Sequence, residues 1–254
     1  WSSDVCSSDL VTGGYAPNPE GVFEEGAHYL SDRAQLAEQR RIPDAVHEAG
    51  GKIALQILHT GRYAKIDRPV GPSDMASPIN PKEIHALTAA EVERTIDDFV
   101  ACAALAKEAG FDGVEIMGSE GYLITTFCAP RTNNRDDDWG GSFENRLRFS
   151  LDSFAAMRAQ GGDDLFIGYR INSTSFWDGD LETADLNQAI EAIQDQADID
   201  YVSVSAGVHH SFIHTPMTYP PGWEREYTRE AKKVSKKPVL AVGRITNPSI
   251  AEDI

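Results

Sequence analysis

The stretch TAAEVERTIDDFVACAALAKEAGFDGVEIMG, residues 88–118, decides the fold. Thr88 followed three residues later by Glu91 is a capping box, in which each side chain takes the other's free backbone N–H. Val92, Ile96, Phe99, Val100 and Ala103 then recur on one helical face, and Gly110 ends the helix. Residues 111–117 read as a buried strand. A capped helix passing through glycine into a strand is the αβ half of a βαβ unit, and the same alternation extends in both directions. Upstream, an apolar piece at 10–12 runs into Gly13 and Gly14. A helix-period stretch at 32–49 stops at Gly50 and Gly51, and residues 53–58 form a strand run. Downstream, Ser142 caps a helix whose apolar side is Leu147, Leu151 and Phe154, followed by a strand at 165–171. Thr183 is expected to cap the next helix, with Leu186, Ile190 and Ile193 on one face, before a strand at 201–205. A short helix at 228–235 precedes a strand at 238–242. Asn247 with Pro248 marks one more helix start.

Six βα units of this kind mean a parallel sheet, either open and doubly wound or closed as a barrel. A dinucleotide-binding open sheet carries GxGxxG after its first strand, and Gly13-Gly14 falls short of it. The reading is therefore an α/β fold: an incomplete (β/α)8 TIM barrel with its first and last strands missing. Residues 1–10, WSSDVCSSDL, have no element period and no signal-peptide regions. They read as a non-native, adapter-derived segment, which leaves residues 11–254 as a partial barrel domain and the chain as a fragment cut at both ends.

Composition narrows the functional classes. Of 254 residues, 41% are hydrophobic and 25% charged, a globular balance. The net charge of −17 argues against a phosphate-backbone partner, so nucleic acid is excluded. No apolar run is long enough to span a membrane. Cys6, Cys102 and Cys128 are scattered, which excludes a disulfide framework and a cysteine zinc site and points to a reducing, cytoplasmic setting. Cys102 reads as core, and Cys128 as a thiol open to reaction.

In a (β/α)8 barrel the chemistry gathers where strands end. Gln56, His59 and Arg62 follow one strand, and Ser119, Glu120 and Tyr122 the next. Arg170 ends another, His209 and His210 follow a fourth, and Arg244 a fifth. Arg170 and Arg244 suit an anionic ligand, because guanidinium grips phosphate in a fork. Gln56 offers a donor and an acceptor to a flat heterocycle. Tyr122 is placed to protonate carbon or hold a substrate oxygen. Glu115, inside an apolar strand, needs a partner, for which an arginine is expected. Glu120 reads as solvent-facing or as a loop organiser. His209, His210 and His214 form HHxxxH. Two adjacent histidines without a carboxylate at helical spacing do not make a metal site, and a hydrogen bond from one histidine to a substrate carbonyl is the preferred use. Residues 131–146, which begin at Arg131, read as a solvated loop stitched by Arg–Asp pairs.

Residues 113–124 (GVEIMGSEGYLI), followed by Arg131-Thr132-Asn133 and Trp139-Gly140-Gly141, resemble the flavin barrel of the old yellow enzyme superfamily. Residues 53–63 (IALQILHTGRY) resemble the same group, within which the bacterial NADPH-dependent 2,4-dienoyl-CoA reductase branch is the nearest match. The resemblance covers residues 11–254 and implies an FMN-containing (β/α)8 barrel. By position, Gly14, Gln56, Arg170 and Arg244 would contact FMN, and Arg131 and His210 would touch substrate. Tyr122 would donate the proton, with His209 its partner at the substrate carbonyl. It implies that NADPH electrons reach FMN, that hydride passes to an activated C=C bond of an enoyl or dienoyl thioester or related enoate, and that the partner is this small molecule. Relatives of the branch also carry 4Fe–4S, FAD and NADPH sites, whose segments are not in this chain.

Residues 208–215 (VHHSFIHT) depart from the branch pattern: His210, Phe212 and His214 replace acidic, basic and proline positions. The alternatives are a flavin-dependent amine dehydrogenase or N-demethylase on the same barrel, a non-flavin barrel lyase or hydrolase, and an inactive barrel fragment.

Overall fold

A computed structural model describes residues 9–209 and 219–254. The strands are β1 (Asp9–Tyr15), β2 (Lys52–Ile57), β3 (Val70–Gly71), β4 (His85–Ala86), β5 (Gly113–Gly118), β6 (Phe166–Asn172), β7 (Tyr201–Ser205) and β8 (Val239–Ala241). β3 and β4 pair with each other. The other six form one parallel sheet in the order β1-β2-β5-β6-β7-β8. The helices are α1 (Leu36–Gln39), α2 (Arg41–Glu48), α3 (Ala89–Ala109), α4 (Leu123–Cys128), α5 (Phe143–Gly161), α6 (Thr183–Gln196), α7 (Arg225–Val234) and α8 (Pro248–Asp253). Each strand of the large sheet lies beside its predecessor in the chain, the arrangement of a (β/α) barrel wall. The wall is an arc of six strands rather than a closed ring, with β1 and β8 at its edges.

Side chains alternate across a strand, and here the alternation separates structure from chemistry. Leu55 and Ile57 of β2, Val114 and Ile116 of β5, Ile167, Tyr169 and Ile171 of β6, and Val202 and Val204 of β7 join one apolar core. The same core takes Phe99 and Val100 of α3, Phe149 and Phe154 of α5, Ile190 and Ile193 of α6 and Ala231 of α7, so this face is covered by helices. Full burial of such side chains stabilises by about 1.5–3 kcal/mol each. The residues between them point to the opposite, inner face. Register aligns Gly14, Gln56, Glu115, Gly168 and Tyr201 in one row across five strands. The row nearer the strand ends holds Met117, Arg170, Ser203 and Leu240.

Local signals account for the helix ends. The Glu91 N–H donates to Thr88 Oγ1 at 3.3 Å, and the Thr88 N–H to Glu91 Oε2 at 2.8 Å. Gly110 stops α3 at φ +100°, a left-handed conformation that glycine adopts without a Cβ clash. Ser142 caps α5 and Asn247 caps α8. Thr183 is not a cap. It is the first residue of α6, and Glu182 precedes it as the cap, its N–H held by Asp185 Oδ2 at 2.9 Å. α7 starts earlier than the expected 228, at Arg225.

Two further stretches are placed by the structure. Leu10, placed in the excluded segment, pairs with Ile53 in β1, and Asp9 pairs with Lys52. The polar loop after Arg131 is stitched by Arg135 and Asp137, at 2.9 and 2.5 Å, with Asn134, Asp136 and Asp138 in solvent, but Arg135 itself is tucked in. The Arg135 side chain is 10% exposed and also donates to the carbonyls of Pro72 and Leu87, tying the loop to the β3–β4 region. Among the described residues, no helix is long and apolar enough to cross a membrane.

Candidate active site

The first turn of chemistry is built by the segment after β5. Ser119 is fully buried, Glu120 takes φ +64° and Gly121 φ +89°, and Tyr122 becomes the residue that caps α4. A non-glycine residue at positive φ is held there by its surroundings. Glu120 forms a bridge with Val208, and its carbonyl accepts the His209 N–H at 3.1 Å. Backbone pairing thus joins the turn after β5 to the segment after β7. As a result Tyr122 Oη and His209 Nε2 stand 2.8 Å apart. Tyr63 packs edge-on against both rings, with centroids at 5.8 and 5.4 Å.

Glu120 ties this pair to β6. Its Oε1 accepts from Arg170 Nη2 at 3.2 Å, and its Oε2 lies 3.6 Å from His209 Nε2. Burial, and secondly the negative charge of Glu120, push the Tyr122 hydroxyl up to about 12. Tyr122 is therefore a neutral phenol that retains a proton to give.

Gln56 belongs to a second network. Its Nε2 donates to Glu115 Oε1 at 2.8 Å, and Tyr201 Oη donates to Glu115 Oε2 at 2.8 Å. Glu115 is buried at 3% exposure, and these two donors, not an arginine, satisfy it. Tyr201 reaches Glu115 from β7 over β6. Gly168 lies beneath that bridge, where an added Cβ would collide with the Tyr201 ring. Gly14 stands beside Gln56 in register, and a Cβ there would meet Leu58 at 2.8 Å.

The remaining predicted residues are spread more widely. Arg244 follows β8 at φ +56°, is half-buried, and donates from Nη1 to the Tyr219 carbonyl. Arg131 is exposed, lies over the Trp177 ring at 4.3 Å, and its backbone N–H reaches Asp180 at 3.4 Å. His210 and His214 lie outside the described residues. The structure thus brings together Tyr122, His209 and Arg170 and places Gln56 and Gly14 in the adjoining row, while Arg131 lies over Trp177, its charge felt by Arg62 beside Tyr63. Cys128 is not poised for reaction, because burial pushes its thiol up to about 11. No group of three metal-ligating side chains occurs among the described residues.

Of the two roles open for Glu120, the structure shows the organiser: its half-buried side chain ties Arg170 to His209. One participant was not anticipated. Glu224, the residue before α7, is 6% exposed and lies against Gly243 after β8.

This geometry, polar groups at the strand ends of a parallel barrel wall, has close counterparts. A solved structure of a 2-naphthoyl-CoA reductase in complex with 2-naphthoyl-CoA superposes with a TM-score of 0.91 at 30% identity, covering 96% of this chain and 40% of that one. An NADH oxidase of Thermoanaerobacter brockii is 36% identical over 232 residues, 89% of this chain and 36% of the relative. An N,N-dimethylglycine/sarcosine dehydrogenase of Chromohalobacter salexigens is 34% identical, covering 85% of this chain and 32% of its own length. The chain spans about a third of the length of these two relatives. The fold and site define an FMN-type TIM-barrel oxidoreductase of the old yellow enzyme superfamily. Over residues 3–254 the chain belongs to the NADH:flavin oxidoreductase / NADH oxidase family.

The residues present fit the flavin that this family uses. Arg170 Nε is buried with no hydrogen-bond partner among the described residues, a donor left for an acceptor that the protein does not supply. Gln56 spends one amide donor on Glu115 and keeps its carbonyl oxygen for a heterocycle.

Proposed function

We propose that this chain is the catalytic barrel of an FMN-dependent reductase of activated C=C bonds, acting on an enoyl or dienoyl thioester or a related enoate, with NADPH as electron source. Gly14, Gln56, Arg170 and Arg244 would hold FMN, and Arg131 and His210 would meet the substrate. Bound FMN supplies hydride chemistry. The observation that carries the reading is the 2.8 Å contact between Tyr122 and His209, with the tyrosine buried as a neutral phenol.

Tyr122 delivers a proton to the carbon that becomes carbanionic. A phenol does this well only when it is held close and its anion is stabilised as it forms. Before substrate enters, in the tautomer with a proton on Nε2, His209 donates to Tyr122 Oη and directs the phenol hydrogen outward. The same imidazole N–H polarises a substrate carbonyl that displaces the phenol from it. Glu120 holds His209 and Arg170 in place, and Tyr63 packs behind the pair.

A second reading is supported by the similarity to the N,N-dimethylglycine/sarcosine dehydrogenase: oxidation of an N-methyl amine on the same barrel. One experiment separates the two. The reduced protein is mixed rapidly with an enoyl thioester or an enoate, the oxidised protein with an N-methylated amine, and flavin absorbance is followed. Reoxidation by the alkene supports the reductase. Bleaching by the amine without alkene turnover overturns it in favour of the amine dehydrogenase.

A further inference from the structure

Glu115 lies in the middle of β5 at 3% exposure and takes no part in the chemistry above. It stands in register with Gln56 of β2 on one side and Gly168 of β6 on the other. Its Oε1 accepts from Gln56 Nε2 and its Oε2 from Tyr201 Oη, each at 2.8 Å. Both donors are neutral groups, so hydrogen bonds satisfy the carboxylate and no cation cancels its charge at these contacts.

The first contact decides which way Gln56 faces. A carboxylate oxygen only accepts, so the part of the amide that meets it must be the NH2 group. A reversed amide would set two acceptors against each other inside the barrel and leave the carboxylate one donor short. The backbone of Gln56 is held as well, its N–H donating to Thr12 Oγ1 at 3.0 Å, where the β1 register shifts between Val11 and Gly14. On the other side of Gln56 in the same row stands Gly14, which has no side chain to turn the amide back. Gln56 Oε1 therefore faces away from Glu115 and accepts no hydrogen bond among the described residues. We propose that Glu115 is a positioning residue of the cofactor site: it fixes Gln56 as an acceptor toward an N–H on the rim of FMN, and its charge, relayed through that amide, favours oxidised over reduced flavin. The inference rests on the flavin reading above. Hydrogen bonds in series polarise one another, so an amide oxygen backed by a carboxylate is more negative than one alone. Reduction adds electron density to the ring system, and density added beside such an oxygen is disfavoured.

The test is the midpoint potential of bound FMN, read against a reference dye. Glu115→Gln removes the charge and keeps a carbonyl oxygen for the Gln56 NH2 group. Reduced FMN should then gain about tenfold in affinity relative to oxidised FMN, an upward shift of about 30 mV for a two-electron couple. In a Gln56→Ala background the same change should move the potential far less, because the relay is gone. Tyr201→Phe has the opposite sign. It leaves the carboxylate and removes a donor that disperses its charge, so the potential should fall. A residue that only props up the sheet would move both variants in one direction. The inference is overturned, with the flavin reading left standing, if Glu115→Gln binds FMN at the unaltered potential, if its shift persists without Gln56, or if Tyr201→Phe leaves the potential unmoved or raises it. Should Glu115→Gln not fold, the sign of the Tyr201→Phe shift decides alone. Failure of the folded, unaltered protein to bind FMN overturns both readings.

Discussion

Tyr122 Oη touches His209 Nε2 at 2.8 Å although 87 positions separate them in the chain. The contact exists because Glu120 and Val208 bridge through their backbones, so two loops behave as one unit. Tyr122→Phe removes the hydroxyl and keeps the ring against Tyr63. Flavin content and reduction by NADPH should stay near those of the unaltered protein, while alkene reduction falls by ~10² or more. His209→Ala should slow hydride transfer itself, because carbonyl polarisation precedes protonation. Rapid-mixing measurement of flavin reoxidation reads both. Turnover of an enoyl substrate by Tyr122→Phe at the unaltered rate makes Tyr122 a packing residue only.

Glu120 is one reason the Tyr122 phenol is hard to ionise, after burial. Replacing it by glutamine removes a negative charge and lowers that pKa. The tyrosinate absorbance of Glu120→Gln should therefore rise at lower pH than in the unaltered protein, and the alkaline loss of alkene reduction should move in the same direction. An unmoved titration would show that the charge is screened from the phenol.

Gly121 combines φ +89° with the Tyr63 hydroxyl pressed against the place a Cβ would occupy. Gly121→Ala should cost about 1–3 kcal/mol in urea unfolding, from backbone strain and the displaced ring together. The same change should reduce alkene turnover more than it reduces FMN affinity, since Tyr63 backs Tyr122 and His209 rather than Gln56.

Tyr201→Phe leaves Glu115 buried with Gln56 as its one remaining side-chain donor. The expected loss is about 1–3 kcal/mol of stability. FMN should bind more weakly as well, because Gln56 is steadied by the same carboxylate. Equilibrium unfolding and flavin titration on one preparation measure both effects.

The alternation of strands and helices was legible because its signals are local. Thr88 with Glu91, Ser142 and Asn247 announce helix starts within a single turn, and Gly110 announces an end. α4 was missed because residues 123–127 are all buried, and a six-residue helix without a polar face has no period to detect. Tyr122, Arg170 and His209 could be picked out by their positions after strands. Glu120 could be read as a loop organiser, but not what it organises: its partners are Arg170, 50 positions away, and Val208, through a backbone bridge. Glu115 called for an arginine on charge grounds alone, and only the cross-strand row shows that Gln56 and Tyr201 satisfy it. Glu224 sits at the start of an ordinary charged helix, so nothing in its neighbourhood distinguishes it from the exposed glutamates that follow.

The hydrogen bond from Tyr201 to Glu115 is the chord of an arc. It spans two strand spacings on the inner side of the wall, and it closes only while nothing rises from Gly168 between them. A side chain at 168 would act as a wedge and open the radius of the sheet, so curvature in this part of the wall is set by an absence of atoms. Positions 168 and 201 are thereby bound in their history. A larger residue at 168 becomes tolerable when 201 shortens, and Glu115 must then find its second donor elsewhere. Among related sequences the three positions should change together or not at all.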